Sequence, residues 1–148
     1  MPHGSRHTGQ RIGDVLAICL ADLSDEGIYF KQKKTGQRLL VSMSPDLSVA
    51  IEKAKALPRS VRGLTLFCTM RGGRPYAYAT VRDMFRSAAE KAGIEDARRH
   101  NLRAKSLTDA KAQGKDAVAL SGHADPKMTE RYIRLRSTIT AEPASFRQ

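Results

Sequence analysis

The residues able to do chemistry are scattered, but their order is informative. In the last third of the chain His100 stands three positions before Arg103. His123 follows Ser121-Gly122, and Tyr132 lies nine positions beyond His123. Far upstream, Thr8-Gly9-Gln10-Arg11 contributes a second arginine and Lys34-Thr35-Gly36 a lysine in a turn. Breaking a phosphodiester without a metal needs a nucleophile in line with the leaving oxygen, cations on the non-bridging oxygens, and an acid for the departing alkoxide. Tyr132 can supply the nucleophile, although a phenol of pKa about 10 needs a base or cationic surroundings. Arg11 and Arg103 can each present a planar fork to phosphate oxygens, which a lysine cannot do bidentately. Lys34, on a turn, suits delivery of a proton into a groove. His100 and Arg103, three apart, face one ligand if they share a helical turn.

Taken singly, each residue has a plainer reading. Tyr132 alone fits an amphipathic rim position, and Arg11 a solvated helix charge paired with Asp14 three residues on. His100 after Arg98-Arg99 fits a basic helix start, and Gly122-His123 a helix stop followed by a loop. Lys34 closes a charge run, Lys31-Gln32-Lys33-Lys34, of the kind that is usually solvated. It is the ordered set that carries weight.

At 148 residues the chain suits one domain with a real core. Its 26 Lys+Arg against 15 Asp+Glu leave a formal net charge of +11. That excess favours a polyanionic partner through phosphate neutralisation and counterion release. A basic RNA-binding protein fits the charge but not the aromatic content of 5%, which leaves no interleaved aromatic–basic strands to stack bases. The longest apolar run, over 15–20, is far too short to span a bilayer. The amino terminus Met1-Pro2-His3-Gly4-Ser5-Arg6-His7 lacks a signal peptide's apolar centre. Cys19 and Cys68 show no paired-ligand spacing, which points to a reduced, cytoplasmic setting and offers nothing for a zinc site. No cofactor or metal is implied.

These residues must be positioned by a small set of elements. Residues 1–7 read as a disordered or tag-like leader. Ile12, Val15, Leu16, Cys19 and Leu20 recur at three and four, predicting a helix over 10–20. Strand-like runs over 28–33 and 38–42 flank Lys34-Thr35-Gly36-Gln37, predicting a β-hairpin with a lysine at its tip. Ser44 and Pro45 open a helix with Leu47, Ala50, Ile51, Ala54 and Leu57 on one face, stopping before Pro58. Residues 64–69 read as a short strand, followed by a Gly72-Gly73 loop. Thr80 with Asp83 predicts a helix start, with Val81, Met84, Phe85, Ala88, Ala89 and Ala92 on its apolar face and Gly93 at its end. A helix over 99–113 buries Leu102, Ser106, Leu107 and Ala110, a short one follows over 115–120, and Asp125-Pro126 opens a last one to about residue 135. The expected fold is mainly α with a small antiparallel β-sheet (α+β).

The full ordered set resembles the tyrosine recombinase (phage integrase) family. The matching residues are Arg11 in Thr8-Gly9-Gln10-Arg11, Lys34 at the hairpin, His100 and Arg103 in a His-x-x-Arg box, His123 after Gly122, and Tyr132. Asp14 stands where an acidic residue, commonly glutamate, follows the first arginine, and Thr129 also fits. The resemblance covers about residues 8–136 and implies the breaking-rejoining catalytic-domain fold of that family. It implies that Arg11, Arg103 and His123 grip a phosphate of double-stranded DNA while Tyr132 attacks it. A 3′-phosphotyrosyl bond then forms, Lys34 protonates the 5′-oxygen, His100 assists proton transfer or orients the phosphate, and Asp14 supports the site. Other recombinase subunits, as a homo-oligomer on DNA, are the implied protein partners, and a prophage or mobile element the implied setting.

The chain departs from the family at Asn101, where aspartate is commoner, at Ala104-Lys105, where many members have His-Thr, and at Ser121, usually leucine. Members normally carry an amino-terminal DNA-clamping domain and further helices before the first arginine. The resemblance therefore implies an amino-terminally truncated catalytic domain over 8–136, followed by a tail over 137–148. The competing expectation is an inactive fragment that only binds DNA or a partner recombinase. A type IB topoisomerase would share the chemistry.

Overall fold

The computed structural model describes residues 3–61, 63–95, 97–123 and 125–134, and only the backbone of residues 3–5, Tyr132 and Arg134. The elements run α1 (His3–Thr8), α2 (Ile12–Val15), β1 (Gly27–Lys31), β2 (Arg38–Ser42), α3 (Pro45–Lys55), α4 (Tyr78–Lys91), α5 (Arg99–Ala112), α6 (Ala117–Ser121) and α7 (Pro126–Arg134). The fold is thus mostly helical, with one two-stranded antiparallel sheet. The expected tail over 137–148 lies outside the described residues.

The hairpin follows from period-two patterning. Ile28 and Phe30 of β1 and Val41 of β2 point into the core, while Tyr29 and Lys31 point to solvent. The register pairs Ile28 with Val41 and Phe30 with Leu39. Pairing stops at Lys31 rather than residue 33 because the chain closes its turn there. Gln32 N–H donates to the Gln37 carbonyl and Gly36 N–H to the Gln32 carbonyl, with Gly36 at φ 69, where only glycine is at ease. The helix after it is built as its cap residues dictate. Ser44 Oγ accepts from Leu47 N–H at 3.2 Å, Pro45 sits in the first turn, and Leu47, Ile51 and Ala54 are buried.

Two apolar clusters organise the molecule. The larger joins Val15, Leu16 and Ile18 to the hairpin, α3, Leu66, Phe67 and Val81. The smaller joins α5, α6 and α7 through Leu107, Ala110, Ala117 and Ile133, and Leu120 packs against both. Leu120 therefore links the half that carries Arg11 and Lys34 to the half that carries His100, Arg103 and His123.

Several expectations are corrected. The leader over 1–7 is not disordered throughout. His3–Thr8 forms α1, which packs on α3 and α5, and Thr8 is buried. Seven mostly polar residues carry no helical periodicity, so tertiary packing alone makes this helix. The helix expected over 10–20 survives only as α2. Beyond it the backbone extends to pair with 64–66, Leu66 N–H donating to the Ile18 carbonyl and Leu20 N–H to the Leu64 carbonyl, both at 2.8 Å. The strand expected over 64–69 is correspondingly reduced to isolated bridges, Cys19 with Thr65 and Cys68 with Pro75. Helix α4 starts at Tyr78, not Thr80, so its N-cap is Ala77, which has no side-chain acceptor, and the Asp83 carboxylate is bonded instead to the Arg82 guanidinium at 2.8 Å. Of its expected apolar face only Val81 is buried, while Met84, Ala88 and Ala92 are exposed. Among the described residues no helix is long and apolar enough to cross a membrane.

Leu107 has no exposed surface and sits where α5, α6 and α7 meet. Leu107→Ala should lower unfolding free energy by about 2–5 kcal/mol through lost transfer energy and the cavity left behind. Urea denaturation followed by circular dichroism measures this, and a loss well under that range would mean the three helices do not share the packing described.

Candidate active site

Arg11, Lys34, His100 and Arg103 line one cleft of about 710 Å³. Four elements bring them there. Arg11 precedes α2 with extended backbone (φ −64, ψ 144), and its carbonyl receives the N–H groups of Asp14 and Val15. Lys34 lies in the turn between β1 and β2, and His100 and Arg103 lie one turn apart at the start of α5. Asp14, 5% exposed, fastens two of these parts together. Its Oδ1 accepts from Lys33 N–H at 3.0 Å and its Oδ2 lies 3.9 Å from Arg11 Nη1. The carboxylate thus holds the base of the lysine turn beside the first arginine.

Arg103 is the buried cation of the site, 1% exposed. Its Nη2 donates to the Ser121 carbonyl at 2.8 Å and meets His123 Nε2 at 2.9 Å. An arginine has only donors, so Nε2 accepts and the neutral imidazole carries its proton on Nδ1. Nδ1–H then donates to Thr129 Oγ1 at 2.8 Å, and Thr129 donates to Ser121 Oγ at 2.9 Å. Ser121 Oγ–H ends the chain on the Val118 carbonyl at 2.8 Å. Every hydroxyl in this sequence has one consistent direction. The hydroxyl at Ser121, where leucine was the expected type, is therefore a working member of the cluster and not merely a packing change.

The electrostatics agree with a neutral ring. Burial, followed by the charges of Arg103, Arg11 and His100, pushes the His123 pKa down from 6.5 to about 4, with Asp125 opposing weakly. Burial, then Arg103 and Arg11, also lowers the pKa of His100. The cleft therefore holds the His100 imidazole beside fixed guanidinium charge, a field that favours an anion, while His123 is not part of its lining and meets it through Arg103.

Tyr132 belongs to α7, one turn beyond Thr129. That helix is held against the site by the fully buried Thr129 and by Ile133. The phenol itself lies outside the described residues. The cleft extends past its four expected residues along α4, where Tyr78, Arg82 and Arg86 line it. Arg99 lies 4.5 Å above the Tyr78 ring and donates to its hydroxyl at 3.0 Å. Sequence reasoning missed Gln10 and Gln32, both fully buried at the back of the site. The strand alternation held the signal, since Ile28, Phe30 and Gln32 fall on one inward face.

The sequence profile of the phage integrase family matches residues 5–138. The chain belongs to the phage integrase family. Among its relatives, the integrase of Enterobacteria phage P21 is 27% identical over 140 residues, covering 84% of this chain and 37% of that protein. A lambda integrase dimer bound to a COC′ core site superimposes with a TM-score of 0.79 at 25% identity, over 95% of this chain and 54% of the other. The lambda integrase catalytic core gives 0.69 at 27% identity, over 82% and 77%. The chain thus spans about a third of the P21 integrase and about half of the longer lambda integrase chain.

The low His123 pKa has a consequence for stability. Below pH 6.5 the unfolded imidazole takes up a proton, while the folded one does so only near 4. The stability that neutral His123 contributes is present above pH 6.5, is lost as the pH falls towards about 4, and levels off below. Urea midpoints of the parent and of His123→Asn, compared across that window, should converge or cross as the pH falls. Parallel curves would show that His123 titrates normally in the fold.

Proposed function

We propose that residues 8–136 form the catalytic domain of a tyrosine-type site-specific DNA recombinase, cutting and rejoining duplex DNA through a 3′-phosphotyrosyl bond. The observation that carries this reading is the shared cleft of Arg11, Lys34, His100 and Arg103, with His123 bonded to the buried Arg103. Membership of the family supports it.

In this reading Arg11 and Arg103 neutralise the non-bridging oxygens of the scissile phosphate. The Tyr132 oxygen attacks phosphorus, the bond to the 5′-oxygen breaks, and the Lys34 ammonium donates its proton to that oxygen. His100, its pKa lowered by burial and then by its cationic neighbours, accepts the phenol proton. His123 can donate from Nε2 only after gaining a proton there or after its tautomer reverses. A bound phosphate favours either change, because its charge opposes the field that lowers the His123 pKa. The phosphodiester energy is retained in the protein–DNA link, so a 5′-hydroxyl from a partner strand reverses the step.

Duplex DNA as substrate is supported by the net charge of +11 and by Arg82 and Arg86, which continue the basic lining along α4. Assembly of several subunits on DNA is supported by lambda integrase structures containing a dimer on a core site and a tetramer on a Holliday junction.

The test is a duplex nicked beside the scissile position, so that the released fragment diffuses away and the adduct persists. The parent chain should form a covalent adduct that disappears in Tyr132→Phe, while low-salt binding to the duplex is retained. A folded chain that binds duplex but forms no adduct supports the binding-only reading. Preference for RNA over duplex DNA would refute both.

A further inference from the structure

Gln32 lies inside the charge run Lys31-Gln32-Lys33-Lys34, yet it is wholly buried. Its amide uses its full hydrogen-bonding capacity. Oε1 accepts from Arg11 Nη1 at 3.3 Å and from Thr35 Oγ1 at 2.8 Å. Nε2 donates to Gln10 Oε1 at 2.7 Å and to the Ser121 carbonyl at 2.9 Å. The amide can face only this way, because a guanidinium can only donate and a carbonyl can only accept. Gln10 is fixed by the same logic, its Nε2 donating to the Leu120 carbonyl at 2.6 Å.

The partners of this one amide are the parts of the site. Arg11 is a phosphate ligand in the proposed reading. Thr35 adjoins Lys34, the proposed acid. The Ser121 carbonyl is also the acceptor on which Arg103 Nη2 rests, two residues before His123. Gly122 is required for the same reason: its φ of 61 suits glycine, and a methyl group there would collide with the Gln32 amide. Gln32 thus bridges segments separated by 89 residues.

We propose that Gln32 is a positioning residue that holds the lysine turn, Arg11 and the Ser121–His123 turn in one register, so that the leaving-group acid and the phosphate ligands address the same phosphate. It touches no substrate. The inference rests on the recombinase reading for its catalytic consequence, but the mechanical coupling stands apart from it.

Two readouts on the 148-residue chain test it. In Gln32→Leu, adduct formation on the nicked duplex should fall by about a hundredfold, the size of effect expected from an ångström-scale misplacement. Replacing the bridging 5′-oxygen of the substrate by sulfur gives a leaving group that needs no acid. On that substrate the deficit should narrow, because the part due to a displaced Lys34 vanishes. A Gln32→Leu chain that cleaves at the parental rate, or a deficit unchanged by sulfur, overturns the proposed alignment of Lys34.

Amide hydrogen exchange supplies the second readout. Gln32→Leu should speed exchange in both 33–37 and 121–123. Gln32→Glu, which keeps the oxygen that accepts from Arg11 and Thr35 and replaces the donating amide nitrogen by a second acceptor, should loosen 121–123 while sparing 33–37. It also serves should the leucine variant fail to fold. Unchanged exchange at 121–123 in either variant overturns the coupling. If the parent itself forms no adduct, the recombinase reading fails and the exchange result alone decides the role of Gln32.

Discussion

A buried guanidinium cannot discard its proton, and the geometry around Arg103 follows from that constraint. At 1% exposure its charge must be met by acceptors, and the chain offers the Ser121 carbonyl and the His123 ring. Both of these partners are uncharged acceptors, and the guanidinium also lines the cleft. A surface that opens onto such a charge is prepared for an anion before one arrives, which is the property a phosphate-cleaving site needs. The same contact selects the His123 tautomer, and the tautomer in turn orders the hydroxyls of Thr129 and Ser121. One buried charge thereby governs the α6–α7 turn and the seating of the helix that carries Tyr132.

The other half of the site is held by a carboxylate and an amide. Asp14 fastens Lys33 N–H beside Arg11, and Gln32 joins that assembly to the Ser121 carbonyl. Arg103 and Gln32 therefore meet on a single backbone oxygen. Apolar packing reinforces the junction, since Leu120, the residue before Ser121, belongs to both hydrophobic clusters. Cleft, hairpin and carboxyl-terminal helices are coupled at one place, so a change there is felt by residues that lie far apart in the chain.

Much of this was readable beforehand. The hairpin, the Ser44 cap with Pro45, and most of the inward faces of α3 and α5 follow from interactions within a few residues. Leu57, however, lies beyond α3 and is exposed, and Leu102 is only partly buried. The elements that misread are those decided by distant partners. Helix α2 stops early because Ile18 and Leu20 pair with 64–66. Helix α1 forms because α3 and α5 give it a surface. Helix α4 opens at Tyr78, whose ring lies against Arg99, and the face expected to be buried is mostly exposed because little packs on it. At the site, the arginines, histidines and lysine stood out by type and order. Gln32 did not, because a glutamine amid lysines looks solvated until the strand phase is counted.

What the sequence determined by itself is local and ordinal: caps, turns, strand alternation, a positive charge excess, and an ordered set of residue types suited to phosphodiester chemistry. These depend on neighbours along the chain, so they can be read from neighbours. Tertiary structure alone decided that four of those residues share one cleft, which nitrogen of His123 holds the proton, and that Gln10 and Gln32 form a buried bridge. The bridge rests on hydrogen bonds between residues 89 and 110 positions apart, and the His123 proton on a contact with Arg103 twenty positions away, partners that exist only once the backbone has brought them together.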